Sequence, residues 1–278
     1  MNGALGIAGY VLREARSRKF ILAFVLGITL LLVTLALSLK LEVLDGALAA
    51  TRLFGTLAHH DIVAVDVALR PIYRAAAYLV FYGGLLFGIL AYSDFAPSLL
   101  SPGRIEHLLA LPLRRWELLL GTFLGVVALA LAGALYGSVG LVLILGVKTG
   151  YWTAGPLYAA LLASVGFAAV YAVMLATATL VRSAALCAAA GGLCLVGGIL
   201  ASYRASIAPL LEEGPSRGAF RAVTLLLPRI ASLADAGASL AASAPLGVRS
   251  LAGLLAGVAV FGLGTLAVGL WRFEGKDY

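Results

Sequence analysis

The fold is decided by residues 117–147, ELLLGTFLGVVALALAGALYGSVGLVLILGV, in which no charged residue follows the opening glutamate. The run is about 30 residues long, whereas about 20 predominantly apolar residues suffice for a helix to cross a bilayer. A helix of this length and composition has no stable place in water. The stretch therefore predicts a transmembrane helix that is tilted or extends beyond the bilayer.

The composition of the whole chain extends this prediction to further helices. Of the 278 residues, 62% are hydrophobic and 12% are charged, and the mean hydropathy is +1.05. Soluble domains are close to half apolar and a quarter charged. We therefore expect an all-α fold, a polytopic integral membrane protein that forms a single transmembrane domain over residues 1–278. The six predicted spans cover approximately residues 20–39, 75–92, 117–147, 156–181, 183–202 and 250–271.

The net charge of +7 does not indicate nucleic acid as a partner, because the basic residues cluster at the ends of apolar runs. Lysine and arginine at such positions hold helix ends at lipid headgroups. Membrane lipid is therefore the partner that the charge distribution favours. No basic stripe interleaved with aromatic residues, as nucleic-acid-binding surfaces have, is present in the sequence.

The N-terminal segment predicts an amphipathic helix at the membrane interface. Apolar residues recur at helical spacing between residues 5 and 15, and basic residues lie on the other side. The crowding of basic residues before the first span favours a cytoplasmic N-terminus, and six spans then place both termini in the cytoplasm. The interfacial anchors predicted in this segment are Arg13, Arg16, Arg18 and Lys19.

Two longer connections separate the spans. Residues 40–74 predict a loop with short helices outside the bilayer. Residues 203–249 contain four prolines and two apolar patches, which predict short interfacial or re-entrant helices. Neither connection predicts a separate soluble domain.

The predicted spans contain no aspartate, glutamate, lysine, arginine or histidine away from their ends. Ion-coupled transporters place such groups inside the membrane to bind the coupling ion or proton. The spans instead carry pairs of glycines four residues apart, which allow close helix approach within one bundle or between subunits. These pairs are Gly84/Gly88, Gly121/Gly125, Gly133/Gly137 and Gly253/Gly257.

The connection between the second and third spans carries the most specific pattern. Residues 103–125 read GRIEHLLALPLRRWELLLGTFLG. Ile105, Leu108, Leu109 and Leu111 form one apolar edge of a short helix, which Pro112 ends because proline disfavours helix at the residue before it. The pattern predicts a short helix parallel to the membrane and held between two spans. Arg115 and Trp116 are the predicted anchors of the next span at the interface.

This order resembles the permease subunits of type-2 ABC exporters. In that family a glycine, a short helix ending in Leu-Leu-x-x-Pro, an Arg-Trp/Glu pair and a Leu-rich span beginning near a glycine follow one another. The chain departs from the family at residues 98–102, SLLSP, which stand where an acidic-basic run is usual. The positions that match are Gly103, Leu108, Leu109, Pro112, Arg115, Trp116, Glu117 and Gly121.

The resemblance implies an exporter of the bacterial or archaeal plasma (inner) membrane, with a second permease copy, a homodimer or close heterodimer. Its motor would be a cytoplasmic P-loop ATPase that carries ATP and magnesium, because this chain has no P-loop, binds no cofactor and is not itself an enzyme. The short helix would be the coupling helix that contacts this ATPase. Its residues are Gly103, Arg104, Ile105, Glu106, His107, Leu108, Leu109, Leu111 and Pro112.

Other functions have weaker support in the sequence. A membrane scaffold or assembly factor without transport is the alternative that stays open. No catalytic residues are predicted, since no intramembrane constellation of a phosphatidyltransferase or a rhomboid-like protease is complete. His59 and His60 could contribute to a metal site, but no third or fourth ligand accompanies them, so no metal is expected. Cys187 and Cys194 lie too far apart on one helix for a disulfide.

Overall fold

The computed structural model describes residues 2–17, 19–44, 47–53, 56–59, 63–109 and 114–275. Most of this part of the chain is helical. In chain order the helices are α1 (Asn2–Ser17), α2 (Lys19–Ser38), α3 (Val65–Tyr78), α4 (Gly84–Tyr92), α5 (Phe95–Leu99), α6 (Arg104–Leu109), α7 (Arg115–Thr149), α8 (Gly155–Leu180), α9 (Ala184–Ser202), α10 (Arg204–Ile207), α11 (Pro215–Leu226), α12 (Ile230–Ala241) and α13 (Val248–Glu274). A π-helical turn, Leu79–Gly83, joins α3 to α4, and a 3-10 turn, Ala208–Leu210, follows α10.

Within the described residues, five helical segments are long and apolar enough to cross a membrane, as the sequence predicted for a multi-pass protein. They correspond to the second to sixth predicted spans. The first predicted span is α2, whose described apolar part, Phe24–Ser38, is shorter. Helices α11 and α12 meet at a bend of 53° and together could make one further, broken crossing. The five long segments are Val65–Leu99, Arg115–Thr149, Gly155–Leu180, Ala184–Ser202 and Val248–Glu274.

The first long connection differs from its prediction. The described parts of residues 39–64 form a small antiparallel sheet instead of short helices, and the second strand of this sheet pairs with the other three. The first strand alternates apolar and charged residues in the order LKLEVL, and this period of two is typical of a strand. The strands are β1 (Leu39–Leu44), β2 (Ala47–Leu53), β3 (Thr56–His59) and β4 (Val63–Ala64).

The second span begins ten residues earlier than predicted, because α3 continues it as a helix from Val65. Four buried residues recur every fourth position along α3, which is the spacing of one helix face. Asp66 and Arg70, four residues apart on the exposed side, form an ion pair at 3.3 Å. The buried residues are Val65, Leu69, Tyr73 and Ala77.

The second long connection forms short helices, as predicted. Helix α12 packs between α8 and α3, and its small residues allow the close approach. Gly237 lies against Ala159 of α8, where an added Cβ would be 3.7 Å away. Ala238 and Ala241 are buried in the same cluster as Ala159 of α8 and Leu69 of α3.

Helix α8 is the centre of the bundle and the most deeply buried of the long helices. It packs against α7, α9, α12 and α13. Small residues form the contact with α13, since Gly262 and Gly269 lie against Ala169 and Ala176. Helix packing in a membrane depends on such close approach, because lipid provides no hydrophobic driving force between helices.

Three of the four predicted glycine pairs have packing partners within the bundle. Gly88 lies against Phe167 of α8, the Gly121/Gly125 pair against α1, and the Gly133/Gly137 pair against Phe24 and Ile28 of α2. A Cβ added at Gly253 or Gly257 on α13 would meet no described atom within 4 Å. The last pair therefore has open space in front of it.

Candidate functional site

The candidate site is built around α6, the short helix that the sequence predicted between the second and third spans. Gly103 precedes it with φ +80°, a left-handed conformation that favours glycine. Ile105 is 2% exposed and joins the main hydrophobic core, and its N–H donates to the carbonyl of Ser101 at 3.1 Å. Glu106 is exposed. In the part of α6 whose side chains are described, Ile105 packs into the bundle and Glu106 presents a carboxylate outward.

Arg104 connects α6 to α1, a contact between residues about ninety positions apart in sequence. Its guanidinium Nη2 donates hydrogen bonds of 2.6 Å to Glu14 Oε2 and to the Tyr10 hydroxyl. The guanidinium also lies 5.7 Å from the centre of the Tyr10 ring. Arg104 has a side-chain exposure of 31% and Glu14 of 15%, so solvent screens this ion pair less than an open surface pair.

The electrostatics of this contact keep Arg104 charged. Burial alone would lower the pKa of Arg104, but the hydrogen bonds to Tyr10 and Glu14 raise the pKa above its usual value. A guanidinium is protonated throughout the physiological range in any case. The cationic member of the link between α6 and α1 is therefore retained throughout the physiological pH range.

Helix α1 in turn is packed tightly against the first half of α7. A Cβ added at Gly121 would lie 2.5 Å from the carbonyl oxygen of Ala4, and one at Gly125 would lie 2.8 Å from the Cβ of Val11. The apolar stripe predicted for α1 is divided between a face on α7 and a face that is free for lipid. Ala4, Ile7, Val11 and Ala15 are buried at the contact with α7, whereas Leu5 and Leu12 are exposed.

The start of α7 is fixed by its own polar contacts. The backbone N–H of Arg114 donates to the Glu117 carboxylate at 3.0 Å, and the N–H of Glu117 donates to the carbonyl of Arg114 at 2.9 Å. These bonds close the first turn of the helix. The Arg115 guanidinium donates to the carbonyl of Glu274 at the end of α13, at 3.4 Å. Trp116 is half-buried.

These contacts bring α1, α6, the start of α7 and the end of α13 together at one end of the bundle. A force on α6 would pass to α1 through Arg104 and to the core through Ile105. It would also pass directly to α7, whose first residue follows α6 by only a few positions. The arrangement can act as a lever, because no one of these elements can move far without the others.

Several predicted site residues lie partly or wholly outside the described structure. The backbones of His107, Leu108 and Leu109 belong to α6, but their side chains are not described, and Leu111 and Pro112 fall outside the described residues. Arg13 and Arg16 are exposed on α1, as expected of anchors, whereas Arg18 and the Lys19 side chain are not described. The same is true of His60 and of the His59 side chain. Within the described residues, no group of three or more metal-binding side chains is present.

One polar contact at the second connection was missed by the sequence analysis. The Tyr78 hydroxyl donates to the Asp235 carboxylate at 2.8 Å, and this bond joins α3 to α12. Tyr82 stacks beside Tyr78 with ring centres 6.3 Å apart. Asp235 is the only acidic residue of α12, and this isolated carboxylate was the signal that could have identified the contact.

Comparison with protein-family models gives no match for this chain, and comparison with curated proteins gives none either. The functional interpretation therefore depends on the sequence pattern and on the geometry of the α6 lever.

Proposed function

We propose that this chain is the permease subunit of an ABC exporter, in which α6 contacts a separate cytoplasmic ATPase. The observation that carries the proposal is the attachment of α6 to α1 through Arg104 and to the hydrophobic core through Ile105, at one end of the bundle. A six-residue helix held by such contacts is suited to transmit force and not to bind a small substrate. Closure of two ATPases would then move α1, α6 and α7 together.

The chemistry of the spans is consistent with an external energy source. No acidic or basic residue lies in residues 75–92, 118–147, 156–181, 183–202 or 250–271. An exporter driven by ATP needs no intramembrane acid or base to bind a coupling ion. ATP and magnesium would be bound by the partner, so that this chain would hold no catalytic residue of its own.

The proposal includes an arrangement in the plasma (inner) membrane of a bacterium or archaeon. Helix α2 would be the first of six crossings, and α11 with α12 would form a re-entrant pair on the outer side. Both termini would be cytoplasmic, on the same side as α6. Exposed basic residues on α1 support this orientation, because Arg13 and Arg16 would meet the anionic inner leaflet.

A second permease copy completes the proposed transporter, as a homodimer. The exposed surface of α13 supports it, because Gly253 and Gly257 leave room for a helix to approach closely. Val260 and Leu263 are 72% and 65% exposed on the same helix, so that this face would be covered either by lipid or by the second copy.

The proposal is tested by affinity purification in mild detergent with two matched charge reversals. Glu106→Arg changes the exposed carboxylate of α6, and Glu212→Arg makes the same change on the exposed connection before α11. We expect the native chain and the Glu212 variant to retain a P-loop ATPase that the Glu106 variant loses. If the native chain retains no ATPase, the permease assignment is wrong and the scaffold alternative is favoured.

A further inference from the structure

A large cavity lies inside the bundle, away from the α6 lever. It is bordered by α2, by the second span, by α7 and by α8, is partly open to the surroundings of the bundle, and has a volume of about 750 Å³. Pockets that bind small molecules are commonly a few hundred to about a thousand cubic ångströms. The cavity is therefore large enough to hold a ligand and not merely a packing defect.

The lining of the cavity selects an apolar occupant. Among the lining residues that the structure describes, only Tyr92 and Ser164 carry a polar side chain. The Ser164 hydroxyl already donates to the carbonyl of Ala160 in its own helix, at 2.9 Å. A buried water needs two to four polar partners, which such a wall does not supply. Water is thus a poor filling for this cavity.

Leaving the cavity empty would be strongly unfavourable. The penalty for an unfilled cavity grows with its volume, because the lining atoms lose their dispersion contacts. In a membrane the apolar material that can enter such a partly open cavity and restore these contacts is hydrocarbon.

The shape of the cavity fits an extended chain. Along α2 its wall runs from Phe24 to Leu35, and along α7 it runs from Ala130 to Leu141. Each wall spans about eleven helical steps, which at 1.5 Å per residue is about 16 Å. This length is close to half of the roughly 30 Å hydrocarbon core of a bilayer. The cavity is thus about as long as one leaflet is deep.

Part of the cavity wall is tightly packed, and part of it has free space in front of a glycine. Phe24 stacks on Phe87 with ring centres 3.9 Å apart, and its ring also lies against Gly133 of α7. Two further glycines of the lining, Gly27 on α2 and Gly84 on α4, have no described atom within 4 Å of an added Cβ. The π-helical turn Leu79–Gly83 lies just before Gly84 and adds a residue to the helix there. A continuous α-helix would therefore place Gly84 at a different position relative to the cavity.

We propose that this cavity is a binding site for one acyl chain of a membrane lipid. The chain would enter between α2 and the second span and lie along α7 with its methyl end inside the bundle. The proposal does not depend on the transporter assignment, because it concerns only the cavity wall and the hydrocarbon around it.

Photolabelling in liposomes tests the proposal with the full-length protein. The probe is a phosphatidylcholine that carries a diazirine on one acyl chain, and labelled peptides are mapped by mass spectrometry. Gly27→Phe and Gly84→Phe each place a ring in the cavity from a different wall. Gly192→Phe is the matched control, because it adds the same ring at an open position of α9, outside the cavity. Thermal unfolding in detergent identifies variants that are not folded.

In the native protein and the Gly192 variant, we expect saturable labelling of the cavity residues that unlabelled phosphatidylcholine displaces. In either folded filling variant, this labelling falls to the level of the outer faces of the helices. The proposal is overturned if the native cavity residues are labelled no more than those outer faces, or if labelling persists in a folded filling variant. Labelling of the native protein alone can overturn the proposal, so the test does not require both filling variants to fold.

Discussion

The ion pair between Arg104 and Glu14 offers the sharpest test of the α6 lever. Reversing either charge alone, with Glu14→Arg or Arg104→Glu, removes the short hydrogen bond between the two residues and places like charges together. Arg104→Glu also removes the donor of the bond to Tyr10. Reversing both restores an opposite pair at the same position. If the lever depends on this pair, the double variant should recover most of the stability that each single variant loses.

The expected coupling free energy between positions 14 and 104 follows from the burial of the ion pair and from its hydrogen-bond distances. A hydrogen bond that involves a charged group contributes about 1.5–3 kcal/mol, whereas an exposed surface pair contributes about 0–1 kcal/mol. Both bonds of Arg104 are 2.6 Å, and Glu14 has a side-chain exposure of only 15%. We therefore expect a coupling free energy of about 2 kcal/mol, which for a chain of this size corresponds to a shift in Tm of roughly 4–8 °C.

The assay is thermal unfolding of the purified protein in detergent for the complete set of variants. The control set is Glu213→Arg, Arg217→Glu and both together, because that pair joins residues four apart and Glu213 is 92% exposed. We expect no measurable coupling in the control set. If the changes in Tm at positions 14 and 104 are simply additive, α6 is not held by this ion pair and the lever loses its main contact.

Three further predictions concern the packing of the bundle. Gly121→Ala should displace α1, because the new methyl group would meet the carbonyl oxygen of Ala4 at 2.5 Å; overpacking of this kind costs about 1–3 kcal/mol. Gly192→Ala on α9 serves as its control and should leave Tm unchanged, because an added Cβ there meets no described atom within 4 Å; equal Tm values for the two variants would contradict the packing of α1. Asp235→Ala should lower Tm by removing the acceptor of a charge-assisted hydrogen bond of 2.8 Å, and Tyr78→Phe added to that variant should lower Tm much less than Tyr78→Phe does in the native protein, whereas equal losses would show that the two residues act separately. Cys187 and Cys194 are 1% and 6% exposed, so a water-soluble maleimide should label them only after unfolding, and rapid labelling of the native protein would contradict the burial of α9.

The parts of the fold that the sequence predicted are those fixed by local composition. Long apolar runs predicted the spans from the second to the sixth, because a helix pairs all the polar backbone groups of such a run within the run itself when its apolar side chains lie in lipid. Gly103 and Pro112 predicted the position of the short helix, which the structure describes from Arg104 to Leu109. Each of these signals lies within a few residues of the feature that it predicts.

The parts of the fold that the sequence did not predict depend on weaker or longer-range signals. The alternation of apolar and charged residues in Leu39–Leu44, followed by the Asp45-Gly46 pair, is typical of a β-hairpin. The acidic residues of this segment are equally typical of a loop, which is what the sequence predicted. The four-residue spacing of buried positions in α3 was hidden by the charged residues between them. Such amphipathic patterns do not raise hydropathy and so do not resemble a span.

The partners of the site could not be predicted from the sequence at all. Nothing near Arg104 indicates that it binds Glu14 and Tyr10, since that contact depends on how α1 packs against α7. Likewise, Gly121 and Gly125 predicted a close helix contact without specifying α1 as the neighbour. Residue type limits the chemistry of a contact, but only the three-dimensional arrangement identifies its second member.

The proposed contact between α6 and an ATPase is tested most directly by a cross-link. A cysteine introduced with Glu106→Cys would be exposed, whereas the two native cysteines are buried. In membranes of the native host treated with a thiol-to-amine cross-linker, we predict a product that joins this variant to a P-loop ATPase. The matched Glu212→Cys variant should give no such product. The role of α6 is contradicted if the Glu106 variant forms no cross-link to an ATPase, or if both variants form it equally.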